Sequence, residues 1–145
     1  MKAFRYNLEK VLDLRKYSED EAKIELGRAI GVLSELEFRL FALGQELVRA
    51  AAAQFTPENG AIEMQQYMFY LMRLEYTKEQ LLKEIAMAEL KVEEAREAFL
   101  EASRERKVLD KHREKKQEEH RKKELTEQTK ALDDVSSAIF ARQSG

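Results

Sequence analysis

The fold is decided by two stretches of sequence, LGRAIGVLSELEFRLFALGQEL at residues 26–47 and MQQYMFYLMRLEYTKEQLLKEIAMAELKVEEAREAFLEA at residues 64–102. In both, seam positions recur in alternating steps of three and four residues, the spacing of a coiled coil. The first seam consists of Leu26, Ala29, Leu33, Leu36, Leu40, Leu43 and Leu47. The second consists of Met64, Tyr67, Leu71, Leu74, Lys78, Leu81, Ile85, Ala88, Val92, Ala95, Phe99 and Ala102. Two such seams predict two long helices packed together.

The segment between the seams carries turn signals. Pro57 is the only proline of the chain, and Asn59-Gly60 follows it. Proline favours turn corners and first helical turns, and Asn-Gly readily takes positive φ. We therefore expect an all-α fold, a long two-helix antiparallel coiled-coil hairpin with an overhanging C-terminal helix. The expected single domain consists of a first helix at about 7–54, a bend at 55–61, a paired second helix at 62–109 and an overhanging extension at 110–145.

The register of the hairpin predicts where pairing ends. A bend at about residue 58 places residue i opposite roughly residue 116 minus i, because both helices rise about 1.5 Å per residue. Leu8 is then level with about position 108, next to Leu109, the last apolar seam residue of the second helix. No first-helix residue is expected beside the chain after this point. Residues 110–124 contain no aliphatic residue and no Phe, Tyr or Trp, so their helicity without a partner is left open.

The composition argues against several classes of function. The chain has 26 basic and 28 acidic residues, interspersed along its length, and no cysteine. This balance favours neither nucleic acid nor an anionic membrane as a partner, and it excludes disulfides and thiolate metal sites. No apolar stretch approaches the roughly 20 residues that cross a bilayer. We expect a soluble cytoplasmic protein without direct membrane insertion, with peripheral attachment to an assembly left open.

Few residues of the chain suit catalysis or metal binding. The chain offers only His112 and His120 as imidazoles, and it has no glycine-rich phosphate loop. Lys116 lies between the two histidines, which is unfavourable for a cation. The basic run at 111–123 is interrupted by acids and lacks aromatic stacking residues, so nucleic acid binding is also disfavoured. We predict no enzyme activity, no catalytic residue, no cofactor and no metal.

A second apolar stripe lies on the outer face of the first helix. By the register, Phe38 and Phe41 lie level with Tyr76, and Phe69 and Met72 face outward on the second helix. Exposed apolar patches commonly mark partner sites, but weak self-association, or burial under a bent rod, explains this stripe equally well. The candidate residues are Ile24, Phe38, Phe41, Val48, Phe69, Met72 and Tyr76.

Apolar residues at the two ends of the chain exceed what a two-stranded seam uses. Each large apolar side chain gains roughly 1.5 to 3 kcal/mol on burial, so these residues need a receptor or a second copy of the chain. Arg15 and Glu19 are polar positions within the early seam, where such residues mainly tune register. The candidate partner-binding residues at the ends are Leu8, Leu12, Leu14, Arg15, Leu132, Asp133, Ile139 and Phe140.

The two ends also resemble a known family. The motifs FRYNLEKVLDLR at 4–15 and EDEAK at 19–23 stand near the start of the chain. The motif KVLDKHREKK stands at 107–116, and three shorter motifs follow it. These are EQTK at 127–130, LDD at 132–134 and AIFAR at 138–142. Together they resemble the FliJ family of flagellar protein-export components over essentially the whole chain. Where that family usually shows Asp-Glu, this chain has Asp133-Asp134.

The resemblance implies a specific role. Members of the family form an antiparallel coiled coil similar to the central stalk of rotary ATPases. The implied partners are the hexameric export ATPase ring (FliI), which receives the paired termini, the export-gate membrane protein (FlhA) and empty export chaperones. Contacts with the gate and the chaperones do not carry over residue by residue.

We therefore predict a non-enzymatic stalk, coupling factor and chaperone escort of the bacterial flagellar type III export apparatus, peripherally associated with the membrane at the flagellar base. The candidate residues at the chain ends are assigned to the ATPase ring, and the outer stripe is assigned to the gate or a chaperone. Two alternatives remain at this stage. One is the stalk of a virulence-type secretion system, and the other is a coiled-coil adaptor or dimerisation rod without an ATPase partner.

Overall fold

The computed structural model describes residues 2–144 and consists of two α-helices. Helix α1 spans Glu9–Gln54 and helix α2 spans Ala61–Ser144. Within the described range there is no strand, so the predicted all-α class and the pair of long helices are confirmed. Residues 110–124, whose helicity the sequence left open, lie within α2.

The bend is built by capping interactions. Gly60 precedes α2, and its backbone N–H donates to the carboxylate of Glu63, which is the reciprocal half of a capping box. On the α1 side, the Asn59 side-chain amide donates to the carbonyl of Ala53 at 2.6 Å. The Asn59 backbone N–H donates to the carbonyl of Thr56 at 3.1 Å. These bonds satisfy polar groups that helix ends otherwise leave without partners.

Neither Asn59 nor Gly60 adopts the positive φ that the Asn-Gly dipeptide readily takes. No residue between 2 and 144 has a positive φ. The physical reason is that the Asn59 side chain caps the end of α1 and Glu63 caps the start of α2, so the chain reverses without a left-handed residue. At this bend Asn59 supplies a side-chain donor and Gly60 supplies a backbone N–H donor.

The contacts divide the chain into two compact units, where the sequence predicts one domain. The bend unit comprises Asp20–Leu100, and the terminal unit comprises the described residues up to Glu19 together with those from Glu101 onwards. Each unit contains a piece of α1 and a piece of α2, and each is described separately.

The core of the bend unit follows the predicted seams. Leu36 of α1 clusters with Leu81, Ile85 and Ala88 of α2. The partly buried residues around this cluster are Leu33, Leu40 and Leu43. All predicted seam positions in this unit are buried or half-buried except Met64, which is exposed near the start of α2.

The helices of the bend unit are antiparallel and close to the predicted register. That register places residue 70 opposite residue 46, and the Tyr70 hydroxyl indeed donates to Glu46 Oε1 at 2.7 Å. The contact joins the two helices and agrees with the register expected from the sequence.

Helix pairing in the terminal unit extends further along α2 than the register predicts. Arg113 donates to Glu9 at 2.9 Å, and the Tyr6 hydroxyl lies 2.5 Å from His112 Nδ1. Phe4 reaches His120, with ring centroids 5.6 Å apart. Phe4 reaches this far because residues 2–6 are not helical, and a non-helical chain advances up to about 3.3 Å per residue against about 1.5 Å in a helix. The Glu9–Arg113 and Glu19–Arg106 pairs join helical residues, so the helices of this unit are themselves paired further along α2 than the predicted register. The expectation that nothing lies beside α2 after residue 109 is therefore wrong as far as His120.

The last part of α2 is exposed to solvent. Every described residue from Leu125 to Ser144 is exposed. The predicted overhang is thus present, but it begins later than residue 110. Upstream of it, charged pairs one helical turn apart support the helix, for example Glu119 with Lys116 at 3.4 Å and Glu118 with Arg121 at 2.6 Å.

Two neighbouring leucines test whether the seam stabilises the fold. Leu81 is 8% exposed and Leu82 is 44% exposed. Leu81→Ala should lower the free energy of unfolding by about 2 to 3 kcal/mol, because it removes a buried side chain and leaves a cavity. Leu82→Ala is the matched control and should cost less than about 1 kcal/mol. Urea unfolding followed by circular dichroism measures both, and equal losses would contradict the assigned seam.

Candidate partner-binding surfaces

The bend unit has an exposed apolar surface on both of its helices. We call Phe38, Phe41, Phe69, Met72 and Tyr76 the aromatic patch. Each of these side chains is more than half exposed, although aromatic residues are among the largest contributors to cores and interfaces. Ile24 and Val48, the other predicted members of the outer stripe, are exposed as well. The structure thus places all seven residues at the surface.

A shallow groove lies on the α2 side of the aromatic patch. Its lining residues are Phe69, Met72, Arg73, Tyr76 and Thr77, and its volume is about 560 Å³. The Arg73 guanidinium lies 5.7 Å from the centroid of the Tyr70 ring, within the range of a cation–π contact. The groove therefore offers apolar side chains for an apolar anchor, with one guanidinium at its edge for an acidic group.

A polar cluster also joins the two helices of the bend unit. Arg49 donates to both carboxylate oxygens of Glu46, with Nε 2.9 Å from one and Nη2 2.5 Å from the other. Tyr70 of α2 donates to the same carboxylate. The hydrogen bonds from Arg49, and then from Tyr70, lower the pKa of Glu46 to about 2. This cluster is not among the predicted sites, although Glu46 and Arg49 are three residues apart on α1 and Tyr70 is opposite by register.

This cluster predicts the acid titration of one carboxylate. Because the pKa of Glu46 is lowered, its interactions are fully formed above the ordinary value of about 4.5 and are lost as the pH falls towards 2. Carbon-detected NMR should show Glu46 titrating near pH 2. Arg49→Gln should move its midpoint towards 4.5 more than Tyr70→Phe does, since Arg49 is the larger cause. A midpoint near 4.5 in the unmodified protein would contradict the cluster.

In the terminal unit, most predicted end residues are accessible. Leu14, Leu132, Ile139 and Phe140 are all more than half exposed. Asp133 and Arg15 are exposed, and Leu8 is half-buried.

Leu12, however, is 0% exposed. A fully buried leucine cannot contact a partner while the unit stays folded, so Leu12 belongs to the core and is removed from the candidate surface. Its seam position explains this burial.

The charged residues at seam positions of α1 in the terminal unit form ion pairs with charged residues of α2. Arg106 of α2 donates to Glu19 of α1 at 2.8 Å and also pairs with Asp110. The hydrogen bond from Arg106 is the main reason that the pKa of Glu19 is lowered. In the same way, Arg15 of α1 pairs with Glu105 of α2 at 2.8 Å. The Glu19–Arg106 and Arg15–Glu105 pairs link the two helices, whereas Asp110 lies on α2 with Arg106, and the two cross-helix pairs explain why Arg15 and Glu19 are tolerated in an apolar seam.

The two histidines lie against the N-terminal residues. His112 contacts Tyr6, and His120 contacts Phe4. Across residues 2–144 no group of three or more His, Cys, Asp or Glu side chains is arranged to hold a metal ion. In the same part of the chain, no helix has both the length and the apolar character needed to cross a membrane.

The comparison with family models decides the relationship. The model described as flagellar FliJ protein matches residues 4–145. The chain belongs to the FliJ family. The resemblance recognised at the two ends is therefore confirmed. Neither the comparison with curated proteins nor the comparison with solved structures produced a match.

Membership of the FliJ family gives the chain its general role. The protein is a component of the flagellar protein-export apparatus, and the family is a non-catalytic part of that apparatus. Of the features described above, the aromatic patch and the exposed end of α2 are the two surfaces that offer apolar side chains to other components. They are the candidate sites of interaction.

Proposed function

We propose that this FliJ-family chain acts as the stalk and coupling factor of the export ATPase ring (FliI) and as an escort for export chaperones. The observation that carries the proposal is the uncovered end of α2. All described residues from Leu125 onwards are exposed, and large apolar side chains recur there at helical spacing. These are Leu125, Leu132, Val135, Ile139 and Phe140.

The energetics of these residues favour a receptor. Leu132, Val135, Ile139 and Phe140 are each more than half exposed. Burying four such side chains would contribute on the order of 6 kcal/mol, even at the low value of about 1.5 kcal/mol each. Such a gain exceeds the lower bound of the cost of association, about 4 kcal/mol, by a small margin. A moderate, reversible interaction follows, which suits a stalk that contacts several ring subunits.

The terminal unit is suited to hold its two helices together under load. The Arg106–Glu19 pair between the helices is only partly exposed, so water screens it less than a surface pair. Glu9 and Arg113 add a further pair across the helices. We infer that this set of pairs keeps the N-terminal residues attached to α2 when the end of α2 is bound.

The aromatic patch is proposed as the site of a second partner, the export gate (FlhA) or an empty export chaperone. Its support is the exposure of five large side chains together with the groove beside Arg73. An amphipathic helix with an acidic residue at its edge would fit such a surface. We place the protein in the cytoplasm, peripherally attached to the membrane at the flagellar base. Membership of the FliJ family favours this role over a virulence-type stalk or an adaptor without an ATPase.

Removal of the exposed end of α2 tests the coupling role. The unmodified protein should raise the ATP turnover of the purified export ATPase, and deletion of residues 132–145 should abolish that increase. The unfolding midpoint should stay within a few degrees, because the deleted residues that the structure describes are all exposed.

A pair of point variants sharpens the test. Leu132→Ser with Ile139→Ser should reduce stimulation at least tenfold, whereas the similarly exposed Val108→Ser should leave it unchanged. Undiminished stimulation by the deleted protein would refute the assignment of this surface to the ring.

Substitution of the aromatic patch tests the second partner. Phe38→Ser with Phe41→Ser should weaken binding of the gate's cytoplasmic region or of an empty chaperone at least tenfold, measured by isothermal titration calorimetry. ATPase stimulation should be unaffected, because these residues lie outside the terminal unit. The exposed Leu90→Ser variant is the control. Loss of both functions together in a folded variant would show that the two roles are not separate.

A further inference from the structure

The seam of α2 continues beyond its last aliphatic residue. From Leu109, alternating steps of four and three residues lead to Arg113, Lys116 and His120, all within α2. Residues at these steps share one face of a helix. The face that packs on α1 therefore continues into 110–124, where it offers no aliphatic side chain and no Phe, Tyr or Trp.

The partner of this part of α2 is a non-helical segment. Helix α1 begins at Glu9, and Glu9 is bonded to Arg113 at 2.9 Å. We call residues 2–7 the N-terminal segment. Its residues 2–6 have no regular secondary structure, and they lie beside α2 where α1 has not yet begun.

Phe4 of the N-terminal segment contacts two turns of α2. Its ring centroid lies 5.6 Å from that of His120, and the Arg113 guanidinium lies 5.8 Å from the Phe4 ring centroid. The second distance is within the range of a cation–π contact. Arg113 and His120 are seven residues apart, or about two helical turns. Unwinding of α2 between them would therefore break at least one contact with Phe4.

Tyr6 attaches the N-terminal segment closer to α1. Its hydroxyl lies 2.5 Å from His112 Nδ1, and the two ring centroids are 5.5 Å apart. Tyr6 is 7% exposed and is the only buried residue between 2 and 7. This attachment fixes the path of the segment, so that Phe4, two residues earlier, lies further along α2.

The exposure of α2 changes where the N-terminal segment ends. Between residues 114 and 124, only His120 and Glu124 are less than exposed. From Leu125 onwards every described residue is exposed. The contact of Phe4 with His120 thus marks the limit of the covered part of α2.

Residues 110–124 have few other interactions that favour a helix. Two ion pairs lie within this stretch, Lys116 with Glu119 and Glu118 with Arg121, and both are largely exposed. Such pairs contribute little to a helix. Isolated helices of fewer than about 12 to 15 residues are marginal in water, and most helical stability in proteins comes from packing. The contacts of the N-terminal segment supply this packing.

Charge contributes less to the attachment than the aromatic rings. An open groove of about 1140 Å³ lies between the N-terminal segment and α2. The segment lines it with Lys2 and Arg5, and α2 lines it with the acids Glu119, Glu124 and Glu127 together with two lysines. Acids and bases nearly balance on the α2 side, and exposed charges attract each other weakly. The contacts of Phe4 and Tyr6 therefore determine docking.

We propose that residues 2–7 continue the pairing beyond the start of α1 as a non-helical partner of α2, and that Phe4 is the positioning residue that holds α2 helical over 113–124. The uncovered end of α2 begins directly after this stretch, at Leu125, so its direction depends on the helix before it. The effect on the export ATPase rests on the proposed function. The effect on α2 is a property of the free protein.

Amide hydrogen exchange of the free full-length protein tests the effect on α2. In the unmodified protein, exchange should be slower in 113–124 than in 125–144. Phe4→Ala should accelerate exchange in 113–124 at least tenfold and leave 20–100 unchanged. Phe4→Tyr keeps the ring, and its added hydroxyl has room in the open groove, so this variant should retain slow exchange.

The matched control is Arg5→Ala, which removes an exposed side chain from the same segment and should leave exchange unchanged. Unchanged exchange of 113–124 in Phe4→Ala would overturn the proposal. Equal acceleration in Arg5→Ala, or acceleration of the same size throughout 20–100, would overturn the role of Phe4.

A distance measurement tests the direction of the end of α2. The chain has no cysteine, so Ser18→Cys and Thr126→Cys provide two unique, exposed sites for spin labels. Double electron–electron resonance should give a narrow distance distribution in the otherwise unmodified protein and in Phe4→Tyr. Phe4→Ala should broaden the distribution. A distribution of equal width in Phe4→Ala would contradict the positioning role.

ATPase stimulation then separates positioning from the proposed function. Phe4→Ala should need at least threefold more protein for half-maximal stimulation, because binding must first order 113–124. The maximal stimulation at saturation should be retained, and Phe4→Tyr should restore the half-maximal concentration. An unchanged half-maximal concentration in Phe4→Ala would contradict the positioning role. If the unmodified protein gives no stimulation, the proposed function fails, and the exchange and distance results decide the role of Phe4.

Discussion

The apolar seam between α1 and α2 is the constraint on which the other features depend. In the bend unit, Leu36 clusters with Leu81, Ile85 and Ala88, and this packing fixes which faces of the helices remain outside. A shift by one helical turn along the axis would separate Glu46 from Tyr70. In the terminal unit, the buried Leu12 side chain and the Glu19–Arg106 ion pair likewise fix which faces of the helices remain outside. The exposed surfaces are therefore a consequence of which residues form the seam.

The fold was largely predictable because coiled-coil helices reveal their packing in a short repeat. The spacing that identifies Leu81 and Ile85 as seam residues needs no knowledge of distant contacts. The bend was also visible from Pro57 and Asn59-Gly60, but its backbone geometry was not. The capping of Gly60 by Glu63 replaced the positive φ that the dipeptide suggests. Turn type depends on which side chains reach free backbone groups, and spacing alone does not give this.

The contacts of residues 2–6 could not be predicted from periodicity, because these residues lie outside the repeating pattern. A helical register extrapolated to the start of the chain ends the pairing at Leu109, whereas the non-helical residues 2–6 carry Phe4 as far as His120. Similarly, Leu12 looked like a free apolar residue near an end and is instead buried. The exposed residues Leu132, Ile139 and Phe140 were identified correctly as uncovered. The sequence of this chain does not specify which residues of a partner cover them in the assembly.

The central claim is that the end of α2 is a binding surface for the export ATPase. Amide hydrogen exchange of the full-length protein, with and without the purified ATPase, tests it most directly. The account predicts that exchange slows in residues 125–144, where side chains are uncovered, while residues 69–76 of the bend unit exchange as before. Unchanged exchange in 125–144 when the ATPase is bound, or slowing confined to 69–76, would contradict it.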